Sequence, residues 1–256
     1  MSNRLDGYWD GSGLEFGDTV LVHSSVKRVL KNLLIQGLQI SPNLIIDSLL
    51  RVVGTEGTVV FPLFNFDFPK SKYFSMLTTP SQMGVLTESA RTNYEGFRTG
   101  HPMYSFYAIG RNSSEFRGIN NHSGYGIDSP FAKLVELDGK IASIDLDDQN
   151  SMTMYHYVEE IMNVDYRYFK TFTGTYQSGI GTCSEESYIL FVRDLQKGVV
   201  TDVNRMGEIL WREGLYKGCR PGVKHGMRTI KANTFVNRTS EEIVEGRALH
   251  TLYSIN

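Results

Sequence analysis

The chain has 256 residues, enough for one large domain or two small ones with a substantial hydrophobic core. Hydrophobic residues at 41% and charged residues at 21% exclude disordered and fibrous classes. A formal net charge of −2 gives no overall pull toward nucleic acid or an anionic membrane.

The opening "MSNRLDGYWDGSG" lacks a basic segment followed by an apolar run, so no signal peptide is expected. No apolar stretch approaches the ~20 residues a membrane span needs. "DTVLVHSS" reads as a buried strand ending in a polar turn at Ser24 and Ser25. "SPNLIIDSLLRVVG" is a helix with Ser41 as N-cap, Pro42 in the first turn and Gly54 as the left-handed stop. "GTVVFPLF" is a second buried strand. "SQMGVLTESARTN" reads as a helix capped by Ser81, and "MYSFYAIG" as a strand ending at Gly110. "SPFAKLVELDG" is a helix opening near Pro130, followed by the strand "KIASIDL". Alternating strands and helices predict an α/β fold with a central mixed sheet flanked by helices. Beyond residue 164 the pattern turns to aromatic-rich strands, "DYRYFKTFTGTY" and "ESYILFVRDL", in a less regular C-terminal third. A last helix is expected to start near Thr239, with Glu242 completing a capping box. With no repeat or linker, residues 1–256 are read as one domain.

Several familiar chemistries are unmarked. There is no G-x-S-x-G elbow, phosphate-binding loop or complete dinucleotide-binding glycine motif. No H-E-x-x-H occurs, and the spacing of His23, His101 and His122 asks for no metal, so none is expected. Cys183 and Cys219 form no C-x-x-C pair, which fits a cytoplasmic protein with reduced thiols.

One segment stands out: "DQNSMTMYHYVEE", residues 148–160, directly after the strand "KIASIDL". If 151–161 is helical, both Glu159 and Glu160 lie within one turn of His156. A carboxylate on Nδ1–H would fix the tautomer, leave Nε2 as a free base and raise the histidine pKa. The plain alternative is an exposed ion pair of little consequence. Placement after a strand favours chemistry, since α/β sheets bind ligands at such junctions.

Six segments in order resemble the aminoglycoside 3-N-acetyltransferases and related antibiotic N-acetyltransferases. They are "LVHSSVK" (21–27), "VVGTEGTVVFPLF" (52–64), "TPSQMGVLTESAR" (79–91), "RTGHPMYSFYAIG" (98–110), "GIDSPFAKLVELDGK" (126–140) and "TMYHYVEE" (153–160). The resemblance covers about the first two-thirds of the chain. It implies acetyl-coenzyme A as cosubstrate, His156 as catalytic base and Glu159, rather than Glu160, as its orienting carboxylate. It further implies that Ser24, Ser25, Val26, Lys27 and Thr153 contact coenzyme A, and that His101 and Ser105 line the acyl-donor channel. Asn65, Tyr155, Arg167 and Lys170 are the corresponding acceptor-binding candidates. Many members carry Asn-Thr directly before the histidine segment, whereas here Ser151 and Met152 separate Asn150 from Thr153.

Direct transfer to an amine is expected, with oxyanion donors among Ser24, Ser25 and Thr153. From Lys217 to Lys231, "KGCRPGVKHGMRTIK" carries five basic residues and no acid. That run, with Arg167 and Lys170, favours an anionic acceptor: a nucleotide-linked amino-deoxy sugar, as in bacterial surface-polysaccharide synthesis. The alternative acceptor is an aminoglycoside antibiotic. A non-catalytic coenzyme A binder or a metal-dependent hydrolase is the minor reading. Neither a nucleic-acid nor a membrane partner is expected. A homodimer is compatible with the chain, although no spacing bears on it.

Overall fold

In the computed structural model, which describes residues 3–37 and 41–256, the apolar runs become strands of a mixed sheet. In chain order the strands are β1 (Thr19–Ser24), β2 (Thr58–Pro62), β3 (Tyr73–Ser75), β4 (Phe97–Arg98), β5 (Phe106–Gly110) and β6 (Lys140–Ile144). They continue as β7 (Arg167–Gly179), β8 (Thr182–Arg193), β9 (Val199–Thr201), β10 (Lys217–Gly218), β11 (Met227–Lys231) and β12 (Tyr253–Ile255). The helices are α1 (Asn3–Asp6), α2 (Lys27–Ile35), α3 (Pro42–Val53), α4 (Phe68–Ser71) and α5 (Val85–Asn93). After them come α6 (Pro130–Glu136), α7 (Met154–Ile161), α8 (Asn204–Arg212) and α9 (Ala232–Val244).

The main sheet has seven strands in the order β10-β11-β6-β1-β2-β5-β4. β1 runs parallel to β6 on one side and to β2 on the other. The outer strands on both flanks are antiparallel. Loops leaving the carboxyl ends of β6 and β2 therefore diverge around β1 and open a crevice, where open α/β sheets bind ligands.

Side chains alternate across the sheet, as strand geometry requires. Val20, Val22, Val59, Phe61, Ala142 and Ile144 pack with Ile45, Ile46 and Leu49 of α3 on one face. Leu21, Val60, Phe106, Ala108 and Ile141 pack on the other face with Phe131 and Leu134 of α6, Val158 of α7 and Phe235 of α9. Each buried Val, Leu, Ile or Phe among them contributes roughly 1.5–3 kcal/mol. β7 and β8 form a long antiparallel hairpin joined by β3. Its inner end, at Arg167 and Arg193, reaches back toward α7.

Helix ends follow the expected chemistry where side chains cap them. Ser41 Oγ accepts the Asn43 N–H at 3.2 Å, Gly54 takes φ 67°, and Ser129 Oγ accepts the Ala132 N–H at 3.4 Å. Two expectations are corrected. α5 starts at Val85 after Gly84, so Ser81 is not its cap; its hydroxyl pairs with Thr87 Oγ1 at 2.8 Å and accepts the Met83 N–H. α9 starts at Ala232, so Thr239 is buried mid-helix, and Glu242 pairs with Arg238 and Arg247 instead of closing a capping box. Among the described residues no helix is long and apolar enough to cross a membrane.

Candidate active site

β6 ends in a sharp turn. Asp145 takes φ 53°, a conformation a non-glycine residue seldom adopts, and is held there by Gly226, whose N–H donates to Asp145 Oδ1 at 2.9 Å. The loop 145–153 then delivers the chain into α7, with His156 in its first turn. Within α7 the spacing of three brings Glu159 Oε2 to 2.8 Å from His156 Nδ1, and the Glu159 side chain is fully buried. Burial, not spacing, separates the two candidate carboxylates: Glu160 is part-buried and faces Ser123.

Arg167, at the start of β7, stands on the same carboxylate. Its Nε lies 2.7 Å from Glu159 Oε2, while its remaining nitrogens donate to Phe191 O at 3.1 Å and Thr201 Oγ1 at 3.3 Å. Arg167 Nη2 also lies 2.9 Å from His156 Nδ1. Nδ1 can donate to Glu159 or accept from Arg167, not both. The buried carboxylate at 2.8 Å favours the tautomer protonated on Nδ1, which presents Nε2 as the base and turns the Nδ1–H past the Arg167 guanidinium. Arg167, expected at the acceptor, is here a partner of the dyad, its side chain 5% exposed.

The net charge effect also corrects a sequence expectation. Burial and then the Arg167 cation push the His156 pKa below the usual histidine value, outweighing the pull of Glu159. Burial alone would raise Glu159, but Arg167 and the His156 hydrogen bond hold it below the ordinary carboxylate range. At neutral pH the pair is a neutral imidazole beside a carboxylate.

The loop is pinned from beneath. Asp148 Oδ2 accepts hydrogen bonds from Tyr155 and Tyr216, both at 2.7 Å, and Oδ1 accepts from Arg228 at 3.0 Å. Arg228, 1% exposed, also donates to Leu146 O and to Ser151 Oγ, and its guanidinium lies 5.1 Å from the Tyr216 ring. Tyr155, expected at the acceptor, gives its hydroxyl to this clamp and also lines the cavity onto which His156 opens.

His156 opens onto a cavity of about 330 Å³ at the carboxyl ends of the parallel strands, lined also by His23, Phe64, Phe66, Tyr104, Asp148–Thr153 and Thr201. Among the described residues, Nε2 of His156 makes no hydrogen bond. His23 also lines the cavity, with Nε2 buried and without a hydrogen-bond partner among the described residues; burial lowers its pKa to about 3. The alternation along β1 carried the signal, since position 23 shares a face with Leu21.

Other expected site residues fall elsewhere. His101 is fully buried behind the wall, its Nδ1 accepting the Met103 and Tyr104 N–H groups, and burial lowers its pKa to about 3. Ser105 bonds Leu63 O and Arg98, so "RTGHPMYS" forms a structural knot under Tyr104 rather than a channel lining. Asn65 uses its amide on Pro80 O and Asp67 N–H, although its neighbours Phe64 and Phe66 do line the cavity. Lys170 lies over the Phe172 ring on the hairpin, away from the cavity. The Ser25 N–H is spent on Ile144 O at 2.9 Å and that of Thr153 on Ser151 O at 2.9 Å, which removes both as backbone oxyanion donors. Thr153 does line the cavity, and the turn Ser24–Lys27 connects His23 to Arg28. Arg28, with Lys224 and His225, lines a separate small cleft that shares no lining residue with the cavity.

The basic run also disperses. Arg220 pairs with Glu208, Arg228 with Asp148 and Lys231 with Asp138, while Lys217 borders a groove with Lys140 and Gly13 at the opposite end of the sheet. No lysine or arginine lines the His156 cavity among the described residues. Neither Cys183 nor Cys219 does so, and no cluster of three or more His, Cys, Asp or Glu side chains is placed to hold a metal among them.

Known proteins resemble the chain in sequence and in fold. The model of a family described as aminoglycoside 3-N-acetyltransferase matches residues 21–242. The SPbeta prophage-derived aminoglycoside N(3')-acetyltransferase-like protein YokD of Bacillus subtilis (strain 168) is 28% identical over 172 residues, 57% of this chain and 60% of that protein. Aminoglycoside N(3)-acetyltransferase III of Pseudomonas aeruginosa is 26% identical over 176 residues, 60% of this chain and 62% of that protein. The match thus spans about three-fifths of each curated relative. The solved structure of AAC-IIIb in binary complex with CoASH superposes with a TM-score of 0.80 at 21% identity, covering 96% of this chain and 97% of that one. The fold agrees end to end, and the matched region contains the strand-end turn, the loop 145–153 and the His156–Glu159 helix: the chain belongs to the aminoglycoside 3-N-acetyltransferase family.

Proposed function

We propose that the protein is an acetyl-coenzyme A-dependent N-acetyltransferase whose acceptor is an amino group of an aminoglycoside. One observation carries the reading: a neutral histidine, its Nδ1 held at 2.8 Å by a buried carboxylate, presents a free Nε2 to a cavity at the ends of parallel strands.

The residues fit the cosubstrate. The turn Ser24–Lys27 runs from His23 at the cavity to Arg28, which lines a cleft with Lys224, and these two cations suit phosphate groups. His23 Nε2, buried and unpartnered at the cavity, suits a carbonyl oxygen when it carries the ring proton. Acetyl-coenzyme A supplies an acyl group activated as a thioester. His156 Nε2 takes the proton that the acceptor nitrogen sheds as the amide bond forms, and Glu159 stabilises the imidazolium without taking the proton. The same Nε2 then hands that proton to the departing sulfur. Phe64, Phe66 and Tyr104 exclude water from the reacting groups.

The acceptor assignment rests on the family and on the cavity wall. A nucleotide-linked sugar calls for cations to meet its diphosphate; Arg167, Arg220, Arg228 and Lys231 are paired with carboxylates, and among the described residues no lysine or arginine lines the His156 cavity. The expected result is thiol release from acetyl-coenzyme A with kanamycin-type acceptors, and none above background with dTDP-linked amino sugars. Release with the nucleotide sugars alone would reverse the assignment.

A further inference from the structure

A buried carboxylate beside an imidazole ordinarily draws the ring toward its protonated form, and an imidazolium cannot accept a proton. The acetyl-transfer reading requires the neutral ring at neutral pH. In this site the carboxylate carries a second load: Arg167, from a strand outside α7, contacts both Glu159 and His156 Nδ1.

We propose that Arg167 is a positioning residue for the base, neutralising Glu159 so that this carboxylate orients His156 without protonating it. This inference rests on the acetyltransferase reading given above. Its geometry has three parts. The Arg167 side chain is 5% exposed and Glu159 is 0% exposed, so water screens their attraction little. The guanidinium is fixed by Phe191 O and Thr201 Oγ1, on two further strands, which holds its charge against Glu159, with Nε at 2.7 Å from Oε2. Glu159 Oε2 is approached by Nδ1 at 2.8 Å and by Nε at 2.7 Å, so a single oxygen serves both.

The other groups around the ring do not duplicate this role. Arg193 of β8 also lowers the His156 pKa, but less than Arg167 does. Tyr125, whose ring centroid is 5.2 Å from that of His156, and Tyr166, whose hydroxyl faces Glu159, are both pushed upward by burial and remain neutral. His23 and Tyr104 face His156 across the cavity and are also neutral at pH 7. Lys in place of Arg167 keeps the charge, whereas Gln keeps hydrogen-bond donors without it.

The test follows the His156 ring by NMR titration in the wild type, R167Q and R167K, with H156N to assign the signal. Thermal melting checks that each variant is folded. In R167Q the ring is expected to titrate at higher pH than in the wild type, the acid limb of kcat/KM to move with it, and kcat at pH 7 to fall by about tenfold with acceptor KM little changed. R167K is expected to restore the wild-type titration. An unchanged His156 titration in folded R167Q would overturn the proposal. The titration is read without substrates, so absent turnover in the wild type would count against the acetyltransferase reading alone.

Discussion

Replacing His156 with asparagine is expected to lower kcat for acetyl transfer by about 100-fold or more while leaving acetyl-coenzyme A affinity within about twofold. The substitution removes the only free ring nitrogen that the dyad presents to the cavity. It leaves the Glu159–Arg167 ion pair intact, so no buried charge loses its partner and the fold is retained. The turn Ser24–Lys27 and the cleft around Arg28 lie on other elements and keep their shape. Steady-state kinetics with calorimetric binding of acetyl-coenzyme A separates the two effects. A variant with normal turnover would remove His156 from the chemistry.

Replacing Arg228 with methionine is expected to destabilise the protein by about 3–5 kcal/mol, because the buried Asp148 carboxyl, whose pKa burial already pushes up, loses the cation that favours its ionised form. Asp148 is 4% exposed, and its two tyrosine partners satisfy hydrogen bonds without neutralising its charge. The double variant R228M/D148N removes the charge itself and is expected to recover much of the loss. Urea unfolding measures both. An unchanged midpoint for R228M would mean that the clamp does not hold the loop 145–153. The clamp matters for function because the loop sets where α7 begins, and with it the direction of His156.

Much of this was legible in the sequence wherever the signal was local. The helix at Pro42–Val53 announces itself with Ser41, Pro42 and Gly54, and each does in three dimensions what its chemistry suggests. The His156–Glu159 spacing is likewise a property of one helical turn. What was hidden is long-range. Arg167 lies eleven residues beyond His156 but on a different element, so its approach to Glu159 depends on how β7 docks against α7. Asp148 and Arg228 are 80 residues apart, and only the β6–β11 pairing brings them together. Composition made the Lys217–Lys231 run look like an anion-binding face, yet its charges point to several sides of the fold. α9 was misplaced for a simpler reason. It starts after Lys231 with no side-chain cap, while T-x-x-E within it imitates a start.

The pH dependence of kcat/KM for acetyl transfer tests the central claim most directly. Burial and Arg167 lower the His156 pKa, and the base works in its unprotonated form, so activity should persist as pH falls through the ordinary histidine value of about 6.5. The acid limb should lie below that value and should vanish from the residual activity of H156N. An acid limb above the ordinary histidine value in the wild type, or one that survives unchanged in H156N, would contradict a neutral His156 as the base.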